Sequence, residues 1–156
     1  MAHKLAENAK LYRNTGTYAA PTWNEIPNVK DLTLNLDKDE TDVTTRASGG
    51  FKEFVDGMID ASVEFSMLYD PADQDFTAIE DAFFAKTPIE FAVMDGIITG
   101  AGSTGNQGLR AFMMIKSFTR NENLGEALMV DVTIRPCKNA GGASGAHVPP
   151  AWYVVT

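Results

Sequence analysis

Between Ile59 and Tyr69 apolar and polar residues alternate almost without a break, and this pattern restricts the fold more than any other stretch. Ile59, Ala61, Val63, Phe65, Met67 and Tyr69 share one face, and Asp60, Ser62, Glu64 and Ser66 share the other, with Leu68 alone out of step. Side chains of a strand project alternately, so this period predicts a strand with one buried and one wet side. Asp70-Pro71 then turns the chain into a helix over Asp73–Ala85, whose Phe76, Ile79, Phe83 and Phe84 fall on one stripe. Asp73 is a suitable N-cap, Asp75 lies where the helix dipole favours negative charge, and Thr87-Pro88 stops the helix. A second strand follows over Pro88–Asp95. No catalytic group sits in the unit Ile59–Asp95, which points to assembly rather than chemistry.

The rest of the chain extends the same theme. Leu32, Leu34 and Leu36 oppose Asp31, Thr33, Asn35 and Asp37 in a second half-buried strand over Asn28–Lys38. Asp39–Gly50 holds only Val43 as a sizeable apolar residue and is expected to be a long loop, of a length usually associated with function. Phe51–Val55 resumes an extended pattern, with a turn expected at Gly57. Ile97-Ile98-Thr99 is a short apolar run before the glycine-rich loop Gly100–Gly108. Leu109–Arg120 is ambiguous by period and is assigned to strand by its β-favouring residues. Leu128, Val130, Val132 and Ile134 alternate with Met129, Asp131, Thr133 and Arg135 until Pro136. Residues 1–21 are expected to form an extended arm rather than a core element. Residues 138–156 are expected to form a flexible tail ending in the apolar cluster Trp152-Tyr153-Val154-Val155.

Consecutive strands without crossover helices predict a mainly β fold. The expectation is an antiparallel β-sandwich or barrel of six to eight strands, one flanking helix and two extended ends. A chain of 156 residues with 44% hydrophobic residues suits one such domain, residues 1–156, with a core that needs no staples. Net charge is −8, from 21 acidic and 13 basic residues, which argues against a tight phosphate-binding surface. Cys137 is the single cysteine and excludes an internal disulfide framework. Met1–Lys10 lacks the apolar run of a signal peptide, and no window approaches the roughly 20 apolar residues of a membrane span. The expectation is a soluble acidic protein made in a cytoplasm.

Chemical motifs are sparse. Gly100, Gly102 and Gly105 fit G-x-G-x-x-G, and Glu122 lies near the distance expected of a ribose-binding acid. The motif comes late in the chain, however, and Asn106-Gln107-Gly108 extends the loop instead of opening a helix, so a flexible connection is favoured. His3 and His147 lack second ligands, and His147 with Cys137 forms no zinc pattern. Ser48 and Ser103 have no histidine nearby in sequence. Asp37, Asp39, Glu40 and Asp42 lack the glycine and glutamate of a calcium loop, so a solvated charged loop is expected. No catalytic, cofactor or metal residue is assigned.

Across nearly all of its length the chain resembles a major tail tube protein of long-tailed bacteriophages, a family related to type VI secretion tube proteins. The resemblance lies in the order of its parts. Trp23–Ile26 precedes the strand Val29–Leu36 and the polar loop with Asp42, Thr44, Arg46 and Ser48. Gly49-Gly50-Phe51, Ile59–Tyr69, Asp70-Pro71, the helix Phe76–Phe84 and the strand Ile89–Val93 follow. The glycine loop and the paired strands Phe112–Arg120 and Leu128–Arg135 complete it. The resemblance implies a β-sandwich assembled as hexameric rings stacked into a tube, through which DNA passes without specific binding. It makes residues 39–50, with Asp42, Thr44, Arg46 and Ser48, the expected ring-stacking loop, and the two ends candidate arms. It also implies tail terminator, tape measure and baseplate or tip proteins as partners, no cofactor, and a place in the virion tail. An acidic lumen would repel phosphates, and Asp31, Asp37, Asp60 and Glu64 are the candidate lining, on faces that lack basic residues. Trp152 and Tyr153 are candidate inter-subunit contacts. Alternatives are a head-completion or decoration protein, a binding module, or a small nucleotide-binding enzyme using the glycine motif.

Overall fold

The computed structural model describes residues 3–156; Met1 and Ala2, the start of the expected arm, lie outside the described residues. Alternating segments become eight strands: β1 (Lys10–Asn14), β2 (Trp23–Glu25), β3 (Val29–Asp42), β4 (Phe54–Leu68), β5 (Ile89–Met94), β6 (Gln107–Asn121), β7 (Met129–Pro136) and β8 (Ala151–Val154). Among the described residues one α-helix, α1 (Gln74–Ala85), lies between β4 and β5. The strands form a single sheet in the order β2-β1-β5-β6-β7-β4-β3, with β8 added to β6, and every pairing is antiparallel. The mainly β, antiparallel expectation holds.

The sheet is rolled. Leu11 of β1 and Ile26 beyond β2 share one core cluster with Leu32 and Leu34 of β3, although these strands occupy opposite ends of the sheet order. Val63, Phe65 and Met67 of β4 and Val130, Val132 and Ile134 of β7 fill that core, as their alternation requires. Helix α1 covers it. Asp73 caps the helix by accepting the Asp75 N–H at 3.1 Å, and Lys86 ends it in the left-handed region. Phe76 and Ile79 are buried, and Phe76 packs edge-on to Tyr69 at 5.0 Å. Burying two such side chains contributes about 1.5–3 kcal/mol each. Phe84 does not follow the expected stripe: it is 72% exposed, and Ala82 takes the inward position.

Four local expectations are corrected. Within the expected N-terminal arm, Lys10–Asn14 is a core strand between β2 and β5, and Leu11 and Tyr12 are buried. The expected loop over residues 39–50 begins too early. Asp39 lies within β3, and Glu40, Thr41 and Asp42 pair with Asp56, Val55 and Phe54, so irregular backbone is confined to Val43–Glu53. Acidic residues are tolerated in this ladder because both of its faces are wet. Gly57 is not a turn but lies inside β4 near a bulge; a Cβ there would lie 2.9 Å from the Asp39 carbonyl oxygen, an approach only glycine permits. Finally, Ala151–Val154 does not hang free but pairs with Arg110–Gln107 of β6.

Candidate assembly surfaces

The first surface is a projecting hairpin. Pairing of β4 with β7 ends at Val63–Ile134, yet β4 continues back to Phe54 bonded only to β3. At roughly 3.3 Å per residue the ribbon therefore extends about 30 Å past the body of the sheet. Every side chain from Leu36 to Asp42 and from Phe54 to Asp60 is exposed. Phe51 is 78% and Met58 84% exposed, and Val43, Phe54 and Val55 are exposed with them. A two-stranded ribbon without a core is marginal alone, and such apolar exposure makes it a candidate interaction surface.

Its tip is ordered by its own polar residues. The Thr44 N–H donates to Asp42 at 2.9 Å, and the Glu53 N–H donates to the Thr44 hydroxyl at 2.9 Å. The Thr44 hydroxyl and the Thr44 N–H, both directed at Asp42, hold its carboxyl below the usual range. A 3-10 turn over Arg46–Ser48 is closed reciprocally: the Thr45 N–H donates to Ser48 Oγ at 3.0 Å, and the Ala47 N–H donates to Thr45 Oγ1 at 3.3 Å. Gly49 follows with φ of 66°. Of the candidate stacking residues, Asp42, Thr44 and Ser48 thus build the turn, and Arg46 is left to project. Arg13, Arg110, Arg120 and Arg135 all have carboxylate partners; Arg46 has none among the described residues.

The second surface is the polar face of β3, β4 and β7. Asp37 pairs with Asp60 and Thr33 with Glu64, which in turn neighbours Thr133. Asp31 lies two residues from Thr33 on the same strand, so all four candidate lumen residues share one face. Asp131, opposite Ser66, adds a carboxylate that strand alternation alone did not single out, since register decides which strands share a face. The expectation of a face without basic residues is corrected: Arg135 of β7 forms an ion pair with Asp60. The face still carries a carboxylate excess, from Asp31, Asp37, Glu64 and Asp131.

The third feature ties the two ends of the chain together. Glu90 of β5 and Arg110 of β6 form a buried ion pair at 2.5 Å, with side chains 3% and 13% exposed. Arg110 Nη2 also donates to the Tyr18 carbonyl at 2.8 Å. Its guanidinium lies 4.2 Å from the Tyr18 ring centre, 5.1 Å from Trp23 and 5.7 Å from Tyr153. The candidate tail pair is therefore split. Tyr153 turns inward to this cluster, while Trp152 remains half-exposed and donates from Nε1 to Gln107 at 2.8 Å.

The glycine loop takes part in the same arrangement. Gly100, Gly102 and Gly105 all have positive φ, and the strand β6, not a helix, follows them, so no helix N-terminus faces the loop. Asn106 instead accepts from Lys4 at 2.8 Å through its side chain and from the Val155 N–H at 2.8 Å through its carbonyl. Burial pushes the Cys137 thiol up. His147 Nδ1 accepts from the Asn139 N–H at 3.2 Å. Among the described residues no group of three or more potential metal ligands occurs.

The profile of the phage tail tube protein family matches residues 8–135. No curated protein matches the sequence. The fold is similar to the tail of an empty gene transfer agent particle refined with C6 symmetry, at 15% identity, TM-score 0.70, and 99% and 100% coverage of the two chains. It is also similar to the SPP1 tail tube at 14% identity, TM-score 0.68, and 97% and 80% coverage. A chain of the sheath–tube complex of an extracellular contractile injection system shares the fold at 8% identity, TM-score 0.63, and 98% and 93% coverage. With its profile match spanning most of the chain, this protein belongs to the phage tail tube protein family.

Proposed function

We propose that this chain is the building block of a virion tail tube, forming hexameric rings that stack into the conduit for DNA ejection. The observation that carries the proposal is the long, core-less hairpin, which exposes apolar side chains at the far end of a well-packed sheet. Family membership supplies the kind of assembly that would cover it. In this reading residues 43–53 contact the next ring, and the carboxylate-rich face of β3, β4 and β7 lines the lumen. Like charge there keeps phosphates from adhering, so the polymer slides. The terminal segments near Arg110 and Trp152 are inter-subunit contacts. A terminator, a tape measure and a baseplate or tip protein complete the tail, and the chain itself performs no catalytic step.

Electron microscopy of the purified protein tests the assembly. Sixfold rings or hollow tubes are expected, and a compact monomer at high concentration would count against it. A map of the tube with Asp37 and Glu64 on its outer wall would overturn the lumen assignment alone.

A further inference from the structure

Between the root of the hairpin and β8 lies a wedge-shaped cavity of about 430 Å³. Its origin is topological. β7 ends at Pro136 opposite Met113, and β8 takes the vacated lane beside β6 from Arg110 onward. β4 runs past the end of β7 but does not pair with β8. Two unpaired strand edges therefore diverge across the cavity. Its walls include Leu36, Ile59, Met114, Pro136 and Trp152, and the ion-paired Asp60 and Arg135 lie among them. Leu36, Ile59, Met114 and Trp152 are exposed although they are large and apolar.

We propose that this wedge is the receptor for the hairpin tip of a second copy, with Phe51 entering the cavity and Arg46 meeting Asp60. The inference rests on the ring-stacking reading of the hairpin and names the surface that receives it. Tip and wedge are both uncovered within one chain, and each exposes large apolar side chains, Val43 and Phe51 at the tip and Leu36, Ile59, Met114 and Trp152 at the wedge. A chain cannot satisfy its own wedge: the ribbon from Asp60 to Phe54 holds the tip about 20 Å away at roughly 3.3 Å per residue. The charges also fit. Arg46 lacks a carboxylate, and Asp60 gives one oxygen to Arg135 while the other has no partner among the described residues. A contact from the tip of one copy to the root of the next is heterologous, so each added copy offers a fresh tip and a fresh wedge.

The test uses the full chain with Cys137→Ser. Phe51→Cys and Met114→Cys, made in separate chains and mixed, are expected to give a disulfide-linked heterodimer on oxidation; combined in one chain they should give a ladder of multimers. Ile59→Asp, at a position already exposed, should raise the concentration needed for assembly at least tenfold without changing the circular dichroism spectrum. Arg46→Glu should do the same, and Asp60→Lys should restore assembly to it. Tubes that form normally with Ile59→Asp, and that give no Phe51→Cys to Met114→Cys cross-link, would overturn the wedge while leaving ring stacking intact. A wild-type chain that never assembles would overturn both.

Discussion

Replacing Arg110 by alanine strands the Glu90 carboxylate in an interior where its side chain is 3% exposed. Removing one partner of a buried ion pair costs about 3–5 kcal/mol, because the remaining charge keeps its desolvation penalty and loses its counter-charge. Lost contact with the Tyr18, Trp23 and Tyr153 rings can only add to this loss. The ion-pair loss alone, about 4 kcal/mol, divided by a urea dependence of about 2 kcal/mol per molar, lowers the unfolding midpoint by at least about 2 M. Trp23 lies 5.1 Å from the guanidinium, so its fluorescence reports the site, and circular dichroism reports the sheet. Both are to be followed below the assembly concentration, since association would add apparent stability. The double variant Arg110→Met with Glu90→Leu removes both charges and is expected to recover at least about half of the loss. A single variant with a midpoint within about 0.5 M of wild type, or a double variant as unstable as the single, would refute the account.

Other perturbations follow from the same structure. Ile79→Ala, at a fully buried position of α1, should cost about 2–5 kcal/mol by urea unfolding. Phe84→Ala, on the exposed side of the same helix, should change stability by less than about 0.5 kcal/mol. Burial raises the Asp95 carboxyl, but the Gln107 N–H and Lys4 outweigh it, and the net shift is below its ordinary 3.8. Its contribution is therefore present above that pH and lost as pH falls through the lower folded value. The stability gap between wild type and Asp95→Asn should narrow in acid titration. The Cys137 thiol, raised by burial, should react with iodoacetamide more slowly at pH 8 than an unfolded control.

Strand pattern and helix limits were legible because they depend on neighbours in sequence. The Ala61–Met67 alternation and the Asp73 cap appear where their residues require them. β1 was not legible: Lys10-Leu11-Tyr12-Arg13-Asn14 has one apolar pair among polar residues, and only pairing with β5 and β2 makes it a core strand. The extent of the hairpin was hidden for a related reason. Asp39–Asp42 resembles a loop by composition, and its strand character comes from Phe54–Asp56 across the ladder. The Arg110 cluster was not legible, because Glu90, the Tyr18–Trp23 segment and Tyr153 come from three separate parts of the chain. The grouping of Asp31, Asp37, Asp60 and Glu64 was partly legible, but Arg135 beside Asp60 depended on the register of β7.

The place of β8 has a consequence for the timing of assembly. Its Ala151 and Trp152 form one wall of the wedge, and they are translated after the seven other strands and the entire hairpin. A nascent chain can therefore display its tip before its receptor exists. Neighbouring chains on one messenger would meet as donors without acceptors until β8 docks on β6. On the proposed docking of tip into wedge, the order of synthesis would delay polymerisation until the sheet is complete.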